Sequence, residues 1–288
     1  MKKRKTVAVP KNECLDQKEI GKIVDNMSLF DDDLMSRVFD NNKPATEYLL
    51  KTILGRNVFV KETKGQVELK NPVVGGRNIR LDIVASDDRK RKFNCEVQRD
   101  NRGTHPQRAR FHSSMLDARM LKEKELFQNL KDSYVIFITE KDYFKLGKPV
   151  YRIERMLDVN GESFGDGSHI IYVNGAYKGE DEIGHLMEDF HNRGTDGFQN
   201  QELRKGVIHF KVEEEGRKIM CEAVEKYAKK KYSQGVRQGI EQGIEQGIEQ
   251  GIERGREEGI REERARNEAE IAALKAQIES LKKSAATG

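Results

Sequence analysis

Residues 79–98 read IRLDIVASDDRKRKFNCEVQ, two alternating stretches on either side of a charged turn. In the first, Ile79, Leu81 and Ile83 share a side; in the second, Phe93, Cys95 and Val97 do. Successive side chains of a strand point to opposite faces, so Arg80, Asp82, Asn94, Glu96 and Gln98 are expected together on the other side. A hairpin turn centred near Arg89 sets Asp82 opposite Glu96 and Arg80 opposite Gln98. Directly opposite residues share a face, and two carboxylates side by side repel unless a cation lies between them. Oxygen ligands with open positions suit Mg²⁺, which usually keeps water and phosphate in its shell. The plainer alternative is an Asp and a Glu on the wet face of an ordinary hairpin, and a bulge would change the register.

Toward the N-terminus, Asp31-Asp32-Asp33 suits a helix start, since acidic side chains favour the positive end of the helix dipole. Leu34, Val38 and Phe39 continue that pattern, and Leu49, Leu50, Ile53 and Leu54, closed by Gly55, form another. From Val58 the period falls to two, giving strand candidates at 58–60, 66–69, 79–85 and 92–98. Beyond the hairpin, Pro106 suits the first turn of a helix running to about Lys124. Tyr134–Ile138 is a continuous apolar run of the kind covered on both faces, and shorter strands are expected at Val150–Ile153 and His169–Val173. Helical stretches near Glu180–Phe190 and Glu213–Lys231 complete the body. This order indicates an α/β (α+β) core with a mixed sheet. We expect an N-terminal arm over 1–28, the main domain over 29–200, a helical extension over 201–233 and a tail over 234–288.

The 288 residues are 36% hydrophobic and 35% charged, with no Trp, polar enough to leave part of the chain outside a core. Of the net charge of +4, the tail contributes −2 and the rest +6, a mildly basic body that suits a polyanion. Cys14, Cys95 and Cys221 are too few and too far apart for a disulfide framework or a CxxC metal site. The basic start leads into no apolar signal segment, and no apolar run is long enough to span a membrane. A cytoplasmic protein without membrane contact is expected. The six histidines lack ligand spacing, and no P-loop, dinucleotide fingerprint or serine-nucleophile motif occurs.

The tail is different in kind. Gly235, Gly239, Gly243, Gly247, Gly251, Gly255 and Gly259 recur every fourth residue, three of them in Gly-Ile-Glu-Gln units. Each glycine costs about 1 kcal/mol of helix stability relative to Ala, and Glu241, Glu245, Glu249 and Glu253 place like charges one turn apart. Such a segment gains little as an isolated helix, so it either self-associates, making a homo-oligomer through the tail, or moves freely. Ile271, Leu274, Ile278 and Leu281 add the spacing of a short coiled coil.

Asp82 followed by Glu96-Val97-Gln98 resembles the D…E-x-Q form of the PD-(D/E)XK nuclease motif. More narrowly, the chain resembles the Rpn family of recombination-promoting nucleases, also described as PD-(D/E)XK nuclease family transposases. Similar stretches are Asp32 to Phe39, Tyr48–Gly55, Arg108–Leu116, Ser133–Ile138 and Gly165-Asp166-Gly167, together with the glycine-repeat tail. The resemblance implies a restriction-endonuclease-like PD-(D/E)XK core and metal-dependent cleavage of DNA. It implies that Asp82 and Glu96 hold Mg²⁺, with Mn²⁺ or Ca²⁺ as alternatives, helped by the Val97 carbonyl. Gln98 stands where most of the superfamily has Lys; it can orient water or phosphate but cannot neutralise charge. An acidic residue of the first helix often completes such sites. Asp32 matches better than Glu47, and a helix-start charge is its plain alternative. Ser36 stands where the family pattern usually has an aromatic residue. Arg99, Arg102, Arg108 and Arg110 are candidates to neutralise DNA phosphates, or else form a solvated basic face. The expected activity is a Mg²⁺-dependent endodeoxyribonuclease linked to recombination or mobile elements. The alternative is a non-catalytic DNA-binding or assembly protein that retains the nuclease fold.

Overall fold

The computed structural model describes residues 15–100 and 103–285. Helix α1 (Gln17–Asp25) opens on a capping box in which Asp16 and Glu19 satisfy each other's backbone amides. Its Ile20 and Val24 are fully buried. Of the loose arm expected over 1–28, residues 1–14 lie outside the described residues and the remainder is corrected: two apolar residues four apart behind an Asp-x-x-Glu cap are enough to hold a helix against the core. Helices α2 (Asp32–Phe39) and α3 (Lys43–Leu54) follow as expected, and α3 ends on Gly55 in the left-handed conformation (φ 69°).

Strand β1 (Val60–Leu69) unites the two short candidates at 58–60 and 66–69 into one. Then come β2 (Ile79–Asp87), β3 (Lys92–Gln98), α4 (Pro106–Asp117), β4 (Ser133–Thr139), β5 (Val150–Ile153) and β6 (Ser168–Asn174). Pro106 starts α4, but the helix stops seven residues short of the expected end at Lys124. Helices α5 (Glu182–His191), α6 (Gln201–Lys211) and α7 (Glu214–Ala285) complete the order. The six strands form one mixed sheet in the order β1-β2-β3-β4-β6-β5. β1, β2 and β3 are antiparallel neighbours, β3, β4 and β6 run parallel, and β5 is antiparallel to β6.

Both faces of the sheet are covered. On one, Ile83, Ala85, Phe93, Cys95, Val97, Ile136, Ile138 and Val173 pack with apolar residues of α1, α2, α3, α5, α6 and the start of α7. On the other, Val135, Phe137 and Tyr172 pack with Ala109, Met115 and Leu116 of α4. The central strand β4 is buried along its whole length, as its unbroken apolar run requires.

The β2–β3 ladder has the expected register, Ile83 with Cys95 through Ser86 with Lys92. It does not continue to Asp82 and Glu96. Ile79 and Leu81 join the α4 side of the sheet while Ile83 and Ala85 join the other. The strict alternation expected for Ile79, Leu81 and Ile83 is therefore broken at Asp82. Across the ladder from it, Gln66 of β1 has φ 52°, so the irregularity is shared by both strands.

The chain divides into two compact units, Met1–Lys226 and Tyr227–Gly288. The first includes α6 and the first turns of α7, whose Leu203, Val207, Met220 and Val224 are buried. Most of the helical extension expected over 201–233 is thus part of the core. In the second unit the glycine repeat is continuous helix, with Ile240, Ile244, Ile248 and Ile252 exposed.

Candidate active site

Where β2 and β3 stop pairing, side chains take over the ladder. The Val97 amide donates to Asp82 Oδ2 at 3.0 Å, and the Asp82 amide donates to Glu96 Oε1 at 3.3 Å. The two carboxylates that alternation placed side by side are therefore built into the seam between the strands. Asp82 is 6% exposed and Glu96 is fully buried, so the plainer alternative of a wet hairpin face does not hold for this pair. Burial raises the Asp82 carboxyl above its ordinary range, with the charge of Asp32 adding to the effect and Val97, Arg108 and Arg80 opposing it. Burial likewise raises Glu96, reinforced by Asp82 and opposed by Arg108.

Arg108 comes to this seam from the first turns of α4. Its Nη2 lies 3.0 Å from Glu96 Oε2, its Nη1 donates to the Gly103 carbonyl at 3.1 Å, and its Nε donates to His112 Nε2 at 3.3 Å. A guanidinium can only donate, so His112 Nε2 accepts and its Nδ1 carries the hydrogen. Asn94 Nδ2 lies 3.2 Å from that Nδ1 and, being a donor itself, makes no hydrogen bond to the ring in this tautomer; Glu96 Oε1 is 3.7 Å away. Burial, with Arg108 and Arg77 adding to it, lowers the His112 pKa to about 4, which keeps the ring neutral.

A cavity of about 670 Å³ opens onto these groups, lined by Asp32, Asp82, Gln98 and Arg108 among others, with Arg77, Arg80 and Gln107 on its wall. Asp32 reaches it from the first turn of α2. Burial raises its carboxyl, Arg80 opposes that, and Asp33 and Asp31 add to it. Asp82, Glu96, Gln98, Asp32 and Arg108 thus converge. The other candidates do not. Glu47 accepts the Val60 amide at 2.8 Å and so anchors the start of β1. Arg99 is bound to Asp31 at 2.6 Å and to the Phe30 carbonyl at 3.3 Å, which makes it a tie between β3 and the start of α2. Arg110 is exposed on α4, and Arg102 lies outside the described residues.

The reading of the residues missed Asn94 and His112 as members of the site. A signal existed for His112: it lies four residues after Arg108 on one helix, the spacing at which side chains meet. Asn94 was placed by alternation on the same face as Asp82 and Glu96, but nothing in the residues gave it a role there.

The acidic donors Asp82, Glu96 and Asp32 offer oxygen only, the ligand type that a hard divalent cation takes. Among the described residues no group of three or more His, Cys, Asp or Glu is close enough to hold a metal ion. Two adjacent carboxylates beside an open cavity nevertheless match what Mg²⁺ commonly takes from a protein when water and phosphate supply the rest. Compared with known protein families, residues 36–177 match the model described as PD-(D/E)XK nuclease family transposase. No curated protein and no solved structure matches the chain.

Proposed function

We propose, from the membership of residues 36–177 in the PD-(D/E)XK nuclease family transposases, that this chain is a divalent-metal-dependent endonuclease that hydrolyses DNA phosphodiester bonds. The observation that carries the reading is the pair of buried carboxylates, Asp82 and Glu96, at the end of a ladder, with Asp82 lining the adjoining cavity. Two like charges removed from water destabilise the fold unless a cation offsets them.

Asp82 and Glu96 would hold a Mg²⁺ ion, with Mn²⁺ or Ca²⁺ as alternatives; when bound, it supplies polarisation of the phosphate and a lowered pKa for the attacking water. Asp32 adds a third carboxylate on the cavity wall. It lies just before the matched segment, so its part rests on the geometry alone. The neutral amide of Gln98 orients water or a phosphate oxygen, and Arg80 and Arg77 give that wall the positive charge that draws a phosphate backbone.

A second reading, DNA binding without cleavage, is favoured by one observation: Arg108 already occupies Glu96, as it would in a retired site. Incubating supercoiled plasmid with the protein and Mg²⁺ or Mn²⁺ separates the two. Nicking or linearisation that disappears in Asp82→Asn is expected. Cleavage unchanged in that variant overturns the site assignment, and salt-sensitive retention of DNA without cleavage supports the second reading. Asn is the right replacement because its amide oxygen still accepts from Val97.

A further inference from the structure

The motif lacks the cation that Lys would supply at position 98, yet the site is not without one. We propose that Arg108 is a catalytic residue that provides this missing charge, by donating hydrogen bonds to the non-bridging oxygens of the phosphate under attack. The proposal rests on the nuclease reading above and names a residue that the E-x-Q pattern does not.

Three observations support it. The first is position: Arg108 and Gln98 line the same cavity. They also meet at Gly103, where an added Cβ would strike the Gln98 side chain and come within 3.3 Å of Arg108 Nη1. The second is preparation. Nε is held by His112, Nη1 by the Gly103 carbonyl and Nη2 by the Glu96 carboxylate, so the guanidinium plane is fixed from three directions. The third is availability. Of the five N–H groups of an arginine, three are engaged among the described residues, and the side chain is 37% exposed where the cavity opens. An arginine's remaining donors match the paired oxygens of a phosphate better than any ammonium could.

The role requires no proton transfer by Arg108. In hydrolysis the water oxygen bonds to phosphorus and the bond to the leaving oxygen breaks. That oxygen takes up a proton, and the attacking water gives one up to solvent. Negative charge gathers on the non-bridging oxygens as this happens, and a fixed cation there stabilises the transition state more than the ground state. His112 acts as a positioning residue, since it accepts the hydrogen bond that holds Arg108 Nε.

Two variants test it. Arg108→Gln removes the charge, and Arg108→Lys keeps the charge and the Glu96 pair without the fork. Plasmid nicking in Mg²⁺ should fall about a hundredfold or more in Arg108→Gln and recover in part in Arg108→Lys. Binding to a labelled duplex, followed by fluorescence anisotropy in chelator where nothing is cut, supplies a second readout. The slope of log affinity against log salt should become shallower by about one in Arg108→Gln and stay as wild type in Arg108→Lys. Unchanged nicking in Arg108→Gln overturns the proposal. So does lost nicking with the wild-type salt slope, which is what a purely structural role through Glu96 would give. If the wild-type protein nicks nothing, the nuclease reading fails on its own account. The salt slope then separately decides whether Arg108 touches phosphate.

Discussion

Asp82 is joined to β3 by its side chain where a ladder residue would use its backbone, and this makes its two obvious replacements behave differently. Alanine leaves the Val97 amide buried without a partner, which costs about 1–3 kcal/mol. Asparagine keeps an acceptor there and removes one of two buried like charges. Without added metal, Asp82→Asn is therefore expected to melt above wild type and Asp82→Ala below it, by differential scanning fluorimetry. An asparagine variant that melts lower would remove the like-charge account. Gly103 gives a second test at this scale. Gly103→Ala pushes the flexible end of Gln98 aside, so plasmid nicking should fall while the melting temperature moves by about a degree or two. Full activity would show that the placement of Gln98 is unimportant. Alternation and the turn centre were enough to bring Asp82 and Glu96 together from sequence. The pairing of Arg108 with Glu96 was not legible, because it depends on α4 roofing the face on which alternation puts Asp82, Asn94 and Glu96. Arg99 was misjudged for the same kind of reason: its tie to Asp31 spans 68 positions.

Between elements, the tightest constraint is the crossing of α2 over β1. A Cβ on Gly65 would run into the backbone carbonyl of Ser36, and Ser36 is itself buried with its hydroxyl unpartnered. A larger residue at 36 is what the family pattern suggests; the small one here fits a close approach of the two backbones. Gly65→Ala is expected to destabilise the fold by about 1–3 kcal/mol, read as a lower urea midpoint, because backbone cannot move aside as a side chain can. An unchanged midpoint would mean that the crossing is loose. The loop before β5 makes a separate prediction. Burial would raise the Asp142 carboxyl. The Gly147 amide, the Tyr151 hydroxyl and the Lys145 and Phe144 amides outweigh it and hold the group below its ordinary range. A depressed carboxylate contributes stability above its unfolded pKa of about 3.9 and loses it as pH falls through the folded value. Amide exchange at Lys145 and Gly147 should thus be faster in Asp142→Asn than in wild type at neutral pH. The difference should shrink only in acid below the unfolded value; a gap that widens in acid would reverse the sign. At this scale the strands of the sheet were largely readable from period and apolar runs. The break at Asp82 was not, since Leu81 and Ile83 carry the same letters whichever face they take. Nor was α1 read, although Asp16, Glu19, Ile20 and Val24 spelled out a capped helix.

For the molecule as a whole, the expectation concerns the second unit. We propose that its helix associates with another copy of itself, because a solvated helix with a glycine every turn and a row of exposed isoleucines has little else to stabilise it. Truncation after Ser233 should then lower the apparent mass by light scattering while leaving the melting of the body unchanged, since the buried residues named above end at Val224. An unchanged mass would remove the idea. The composition showed that this segment differs from the rest, but no sequence pattern fixes whether two copies meet. None of the repeat glycines has a neighbour within 4 Å where a Cβ would stand, so the three identical Gly-Ile-Glu-Gln units are interchangeable. Helix length in this unit can therefore change in quanta of four residues, about 6 Å each, without altering the chemistry of what remains. A gain or loss of whole units would be silent to folding and visible only as a change of span, whereas a single-residue slip would scramble the pattern. The segment behaves as an adjustable ruler, graduated in turns of helix.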